Sequence, residues 1–239
     1  MNTIRFDKKR TLMVAHRGVS GLETENTCAA FVAAGNRSYF GIETDVHVTK
    51  DGKFIIIHDD DTARVGIDKL IVEETTFDTL RSMMLLDKNG KRGRTDLRLP
   101  ELTEYLGICK RYEKKAVLEL KNRMETEQVK RIAEITRETG MFEDTIFISF
   151  SLENLVDLKR YFPDATAQFL TCDYSDALMD ELSEMGLGLD ILYKALTQKS
   201  VAYAHSKGVT VNCWTVNEPA DGEKLASWGV DMITSNILE

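Results

Sequence analysis

The sequence predicts a TIM-type (β/α)8 barrel, and three observations predict it. Eight short β-branched, apolar runs alternate with longer amphipathic stretches, the pattern of a parallel sheet with helical crossovers. The amphipathic stretches carry recognisable caps and stops. The 239 residues, 43% of them hydrophobic, match the roughly 250 residues of such a barrel. One domain over residues 1–239 is expected, with residues 60–100 as a small inserted segment after the second-strand hairpin.

Leu12 to Ala15 is the first strand, and the helix starting near Thr27 closes at Gly35. Gly41 to Val46 is the second strand. Phe54 to Ile57 is β-like but breaks the alternation, because only Thr49-Lys50-Asp51-Gly52-Lys53 precedes it. Asp-Gly in so short a link marks a hairpin, whereas a parallel crossover needs a dozen or more residues. The second strand therefore overshoots the barrel and folds back, carrying His58 toward Glu43 and Asp45. Residues 60 to about 100 are polar without steady periodicity and read as an excursion above that end.

A helix from Glu101 to Lys114 leads into the strand Ala116 to Leu120. Val129, Ile132 and Ile135 share one helical face before Gly140, and Thr145 to Ser149 follows as a strand. Ser151 is placed to cap a helix whose Leu152, Leu155, Val156 and Leu158 precede the stop at Pro163. Thr166 to Leu170, Leu187 to Leu192, Val209 to Trp214 and Met232 to Thr234 complete the eight. The sequence stops five residues after the last of these, so a final helix is expected only as a stub or not at all.

The formal charge of −8 argues against a nucleic-acid surface, which needs clustered Lys and Arg to displace counterions. Met1 to Arg10 is not followed by a signal-peptide core and no run approaches a membrane span, so the cytoplasm is the expected location and no stable membrane insertion is expected. Oligomeric state has no signature here. Cys28, Cys109, Cys172 and Cys213 are widely spaced in apolar surroundings and read as buried thiols.

Charges at strand ends carry the chemistry. Glu43 and Asp45 are two apart on a strand, so their side chains share a face about 7 Å apart along the chain. Glu119 ends another strand, and a parallel barrel gathers its strand C-termini on one face. Flanking Ile42, Leu118 and Leu120 mark these acids as belonging to buried strands, where an unpaired charge is costly. Oxygen-only ligands favour one hard divalent cation, Ca²⁺ or Mg²⁺. With Arg17 and Lys121 nearby, such a cation leaves about one net positive charge to meet a phosphodiester monoanion. His16 and His58 each follow an apolar strand and suit the two halves of proton transfer, taking a proton from an attacking hydroxyl and giving one to a leaving oxygen. Trp214 and Phe150 end strands on the same rim and can form an apolar wall there. His47 on the hairpin and His205 on a helix read as structural.

Together the strings Ala15-His16-Arg17-Gly18, Glu25-Asn26-Thr27, Gly41-Ile42-Glu43-Thr44-Asp45-Val46, Thr49-Lys50-Asp51-Gly52, His58-Asp59, Leu118-Glu119-Leu120-Lys121 and Trp214-Thr215-Val216-Asn217 resemble the glycerophosphodiester phosphodiesterase family over nearly the whole chain. The resemblance implies a TIM barrel with a small insertion, metal ligation by Glu43, Asp45 and Glu119, acid/base roles for His16 and His58, and phosphate binding by Arg17 and Lys121. It also implies a small-molecule glycerophosphodiester substrate, hydrolysed to sn-glycerol 3-phosphate and an alcohol. Thr24 stands where the family usually has Pro, and Ile233-Thr234-Ser235-Asn236 where it tends to carry Asp and Pro. The rival readings are a barrel phosphodiesterase of the phosphoinositide or sphingomyelin type, and a catalytically silent barrel that binds glycerophosphate ligands.

Overall fold

The computed structural model describes residues 2–239. Nine strands form one sheet: β1 (Leu12–Ala15), β2 (Gly41–Val48), β3 (Phe54–Ile56), β4 (Lys115–Leu120), β5 (Thr145–Ser149), β6 (Thr166–Thr171), β7 (Gly188–Leu192), β8 (Val211–Trp214) and β9 (Met232–Ser235). Neighbours run β1-β9-β8-β7-β6-β5-β4-β2, and β1 pairs with β2 to close the circle. These eight are parallel. The fold is a TIM barrel. Its helices are α1 (Cys28–Gly35), α2 (Phe77–Ser82), α3 (Leu102–Arg111), α4 (Thr126–Glu138), α5 (Leu152–Tyr161), α6 (Asp176–Met185), α7 (Gln198–Ser206) and α8 (Pro219–Trp228).

Period-two alternation sorts each strand between two apolar regions. Ala116, Leu118 and Leu120 of β4 pack outward into the layer shared with the helices. Val117, between them, points into the barrel with Val14, Ile146, Ile148, Leu170 and Met232. Both faces are covered, which is why the strands read as near-continuous apolar runs. The helices start on side-chain caps where the sequence offers them: Thr27, Ser151 and Ser175 accept from the backbone N–H of Ala30, Asn154 and Leu178.

β8 starts at Val211 rather than Val209, because Val209 N–H still bonds the Ala204 carbonyl at 3.0 Å in the terminal turn of α7. After β9 the chain runs without a helix to Glu239, and Leu238 bridges Ile4. Cys109 and Cys213 are buried as expected, but Cys28 is half-buried and Cys172 exposed. Cys172 lies just past the end of β6, outside the packing of the sheet. Among the described residues no helix is long and apolar enough to cross a membrane.

The hairpin forms as expected, with β3 antiparallel to β2 in the register Val46 to Ile56 and Val48 to Phe54. Residues 60–100 are more than the polar excursion that their composition suggests. Val72, Leu80, Leu85, Leu97 and Leu99 build a small core of their own with Ile55 and Ile57. β3 is its shared wall, since Phe54 and Ile56 face the main core instead. The apolar residues are scattered along the segment without a period, so no sequence pattern announces them.

Candidate active site

At the C-terminal ends of the strands a cavity of about 210 Å³ opens, with His16, Arg17, Glu43, His58 and Glu119 on one side. Glu43 and Asp45 come from β2, and register sets Asp45 opposite Glu119 of β4. One oxygen from each of the three carboxylates lies within 4.8 Å of the others, and all three side chains are buried. Arg17 N–H donates to Glu43 Oε2 at 2.7 Å. Asn26 Nδ2 donates to Asp45 Oδ2 at 2.7 Å, and Asn26 is itself held by the Thr44 hydroxyl. Lys121 Nζ stands 3.0 Å from Glu119 Oε1 and 3.7 Å from Asp45 Oδ1.

Burial, with the Asp45 charge adding to it, drives the Glu43 carboxyl well up and pushes Glu119 up to about 8. Burial also acts to raise Asp45, but Arg17 and Lys121 outweigh it and hold that carboxyl low. Two fixed cations thus compensate the fully ionised trio only in part, and Glu43 and Glu119 resist losing their protons. Asp45 Oδ1 is buried without a hydrogen-bond partner. An incompletely neutralised, all-oxygen cluster with an open acceptor has the donor chemistry of a hard divalent cation site.

Arg17 reaches the cluster through an unusual turn. Its φ is +51° and that of Gly18 is +74°. A Cβ on Gly18 would sit 2.7 Å from the Ala30 backbone carbon, so the tight His-Arg-Gly turn against α1 requires glycine there. The Arg17 guanidinium lies 2.9 Å from Glu25 and 3.8 Å from Asp45. Glu25 also takes two hydrogen bonds from Arg64, whose Nε donates to Asp59 at 2.6 Å, and Asp59 accepts from His58 Nδ1 at 2.6 Å. An unbroken chain therefore links Arg17 to His58 through the inserted segment.

The two histidines are held differently. His16 Nδ1 lies 2.6 Å from Asn236 Oδ1, which also accepts from Ser20. An amide oxygen only accepts, so Nδ1 carries the hydrogen and Nε2, 4.0 Å from Glu43, keeps its lone pair. Burial, reinforced by Arg17, lowers the His16 pKa to about 4. Burial alone would raise the Asp59 carboxyl, but hydrogen bonds from Arg64 and His58 bring it down to about 2, so a carboxylate faces His58 at neutral pH.

Trp214 and Phe150 meet edge to face at 5.8 Å and form the opposite wall with Ile148 and Leu170. His205 pairs with Asp231 at 2.9 Å on the outside of the barrel, and His47 is buried beside Glu73. Sequence reasoning assigned no role to Glu25, Asn26, Asp59, Arg64, Asp190 or Asn236. Glu25, Asn26 and Asp59 lay inside strings already singled out, Asn236 stood only in a departure from the family pattern, Asp190 was a lone acid in an apolar strand, and Arg64 carried no signal.

Residues 16–239 match the family model described as the glycerophosphoryl diester phosphodiesterase family. The chain belongs to this family. Relatives include a glycerophosphodiester phosphodiesterase of Caldanaerobacter subterraneus subsp. tengcongensis, 30% identical over 95% of this chain and 94% of that one. A glycerophosphodiester phosphodiesterase of Bacillus subtilis is 29% identical over 95% of this chain and 84% of its own. Among solved structures, a phosphodiesterase of Oleispira antarctica in complex with the product sn-glycerol-3-phosphate superposes with a TM-score of 0.89 at 24% identity, covering 98% of this chain and 96% of that one.

Proposed function

We propose that this phosphodiesterase cleaves glycerophosphodiesters to sn-glycerol 3-phosphate and an alcohol, with His16 and His58 moving the protons. The observation that carries the reading is a buried carboxylate trio beside two histidines whose Nδ1 hydrogens are both committed to fixed acceptors. The Oleispira protein of the same fold holds that product. The family match over residues 16–239 supports this reading over the phosphoinositide and sphingomyelin ones.

Glu43, Asp45 and Glu119 would hold the divalent cation. When bound, it supplies positive charge to the phosphoryl oxygens and acidifies a hydroxyl beside it. Arg17, braced by Glu25, and Lys121, braced by Glu119, bind the phosphate and stabilise its added charge in the transition state. Neutral His16 takes the proton of the attacking glycerol 2-hydroxyl on Nε2, and that oxygen bonds to phosphorus. The bond from phosphorus to the alcohol oxygen breaks as His58, its ring oriented by the Asp59 carboxylate, gives a proton to that oxygen. Water then opens the cyclic phosphate with the two histidines in exchanged roles.

The test is an incubation with glycerophosphocholine, glycerophosphoethanolamine, glycerophosphoglycerol and a lysophospholipid, with and without chelator. Release of sn-glycerol 3-phosphate that chelator blocks is expected, with turnover lower by roughly 10² to 10⁴ in His16→Ala and His58→Ala. Absence of any product would leave the silent binding barrel. A 2-deoxy analogue cleaved as fast as its parent would rule out the cyclic route.

A further inference from the structure

Asp190 has no part in the chemistry above, yet it lines the same cavity. It projects from β7, which the barrel order sets opposite β2, four strands away in either direction. The side chain is 2% exposed and its Oδ1 has no hydrogen-bond partner. Its neighbours on the cavity wall include Leu170, cross-strand from it on β6, and Trp214 and Ile148. Asn212, its cross-strand partner on β8, turns its amide toward the carboxyl and favours the charged form, but neither Asp190 Oδ1 nor Asn212 Nδ2 completes a hydrogen bond of good geometry.

A buried acceptor without a completed hydrogen bond costs about 1–3 kcal/mol unless something meets it. A leucine at this position would avoid that cost. Burial, opposed by the Asn212 amide, raises the Asp190 carboxyl to about 8, so near neutral pH it can donate to a hydroxyl as well as accept from one.

Position selects which hydroxyl. Along the arc of neighbouring strands β1, β9, β8 and β7 the cavity is lined in turn by His16, Thr234, Trp214 and Asp190. A glyceryl group whose 2-hydroxyl meets His16 runs along this arc with its remaining hydroxyl farthest from phosphorus. The leaving alcohol lies instead toward His58, which is more exposed and follows β3, the strand that folds back along β2 outside this arc.

Resting on the proposed function, we infer that Asp190 is a specificity-determining residue that hydrogen-bonds the terminal hydroxyl of the glyceryl unit and so selects glyceryl diesters over their deoxy counterparts. The experiment compares glycerophosphocholine with 2-hydroxypropyl phosphocholine, which lacks the terminal hydroxyl but keeps the attacking one. A preference of about 10³ in kcat/KM for the glyceryl substrate is expected in the wild-type enzyme, since a buried polar group left unpaired rejects the deoxy compound. Asp190→Leu should reduce that ratio to about ten or less, mainly through loss on the glyceryl substrate, and Asp190→Asn should retain most of it. A wild-type ratio near one overturns the assignment, as does a Leu variant that keeps the wild-type ratio or loses equally on both substrates. Should the Leu variant not fold, the wild-type ratio and the Asn variant decide. If the wild-type protein cleaves neither compound, the proposed function falls, and calorimetry still decides on Asp190. Tighter binding of sn-glycerol 3-phosphate than of propane-1,2-diol 1-phosphate supports it; equal binding overturns it.

Discussion

His16 and Asp190 are both uncharged near neutral pH for the same reason, burial, although one has lost a proton and the other has kept it. For Asp190 this has a measurable sign. Its folded pKa of about 8 lies above the unfolded value, so between about pH 4 and 8 the folded state binds the extra proton. Stability therefore falls as pH rises through that window, by at most about 1.4 kcal/mol per unit from this group. Asp190→Asn removes the linkage, so the variant should gain on the wild type between pH 5 and pH 7.5 in urea midpoints. A difference that does not widen with pH would reject the assignment. The carboxylates of the candidate cation site were legible because Glu-x-Asp and Glu-x-Lys stood in apolar strands. Asp190 between Leu189 and Ile191 offered the same signal, an acid inside an apolar strand, but without a second charge to draw notice. Asn236 was not legible, because only closure of the barrel brings β9 beside β1 and the amide to His16.

At the scale of elements, the hairpin was legible from Asp51-Gly52 and the short spacing, and its return puts Ile57 N–H on the Asp45 carbonyl at 3.1 Å. What the inserted segment does for the site was not legible, because Arg64 acts across 39 positions on Glu25. Arg64→Ala should leave the barrel folded, since exposed ion pairs contribute at most about 1 kcal/mol. Turnover should nevertheless fall by about ten- to a hundredfold with little change in KM, because Glu25 and Asp59 both lose the group that aims them at Arg17 and His58. A loss confined to KM would show that Arg64 binds substrate instead of positioning these side chains.

For the whole molecule, strand and helix alternation was enough to give the barrel, because each βα unit carries its own period and its own caps. The same closure gathers three buried acids at one mouth in a chain of net charge −8. A cation that binds this arrangement and not the unfolded chain stabilises it by about 2.7 kcal/mol at a hundred times its Kd. For a protein of this size, Tm should rise by about 5–10 °C with Ca²⁺ or Mg²⁺. Glu119→Gln should lose most of that rise, and an unchanged rise would reject Glu119 as a ligand.

β3 serves two cores with alternate residues, and His58 follows it after a single residue. A lesion deep in the minor core, at Leu80 or Leu97, is thereby transmitted along one short strand to an imidazole. Mild denaturant would on this basis silence the enzyme while its circular dichroism still reads as native.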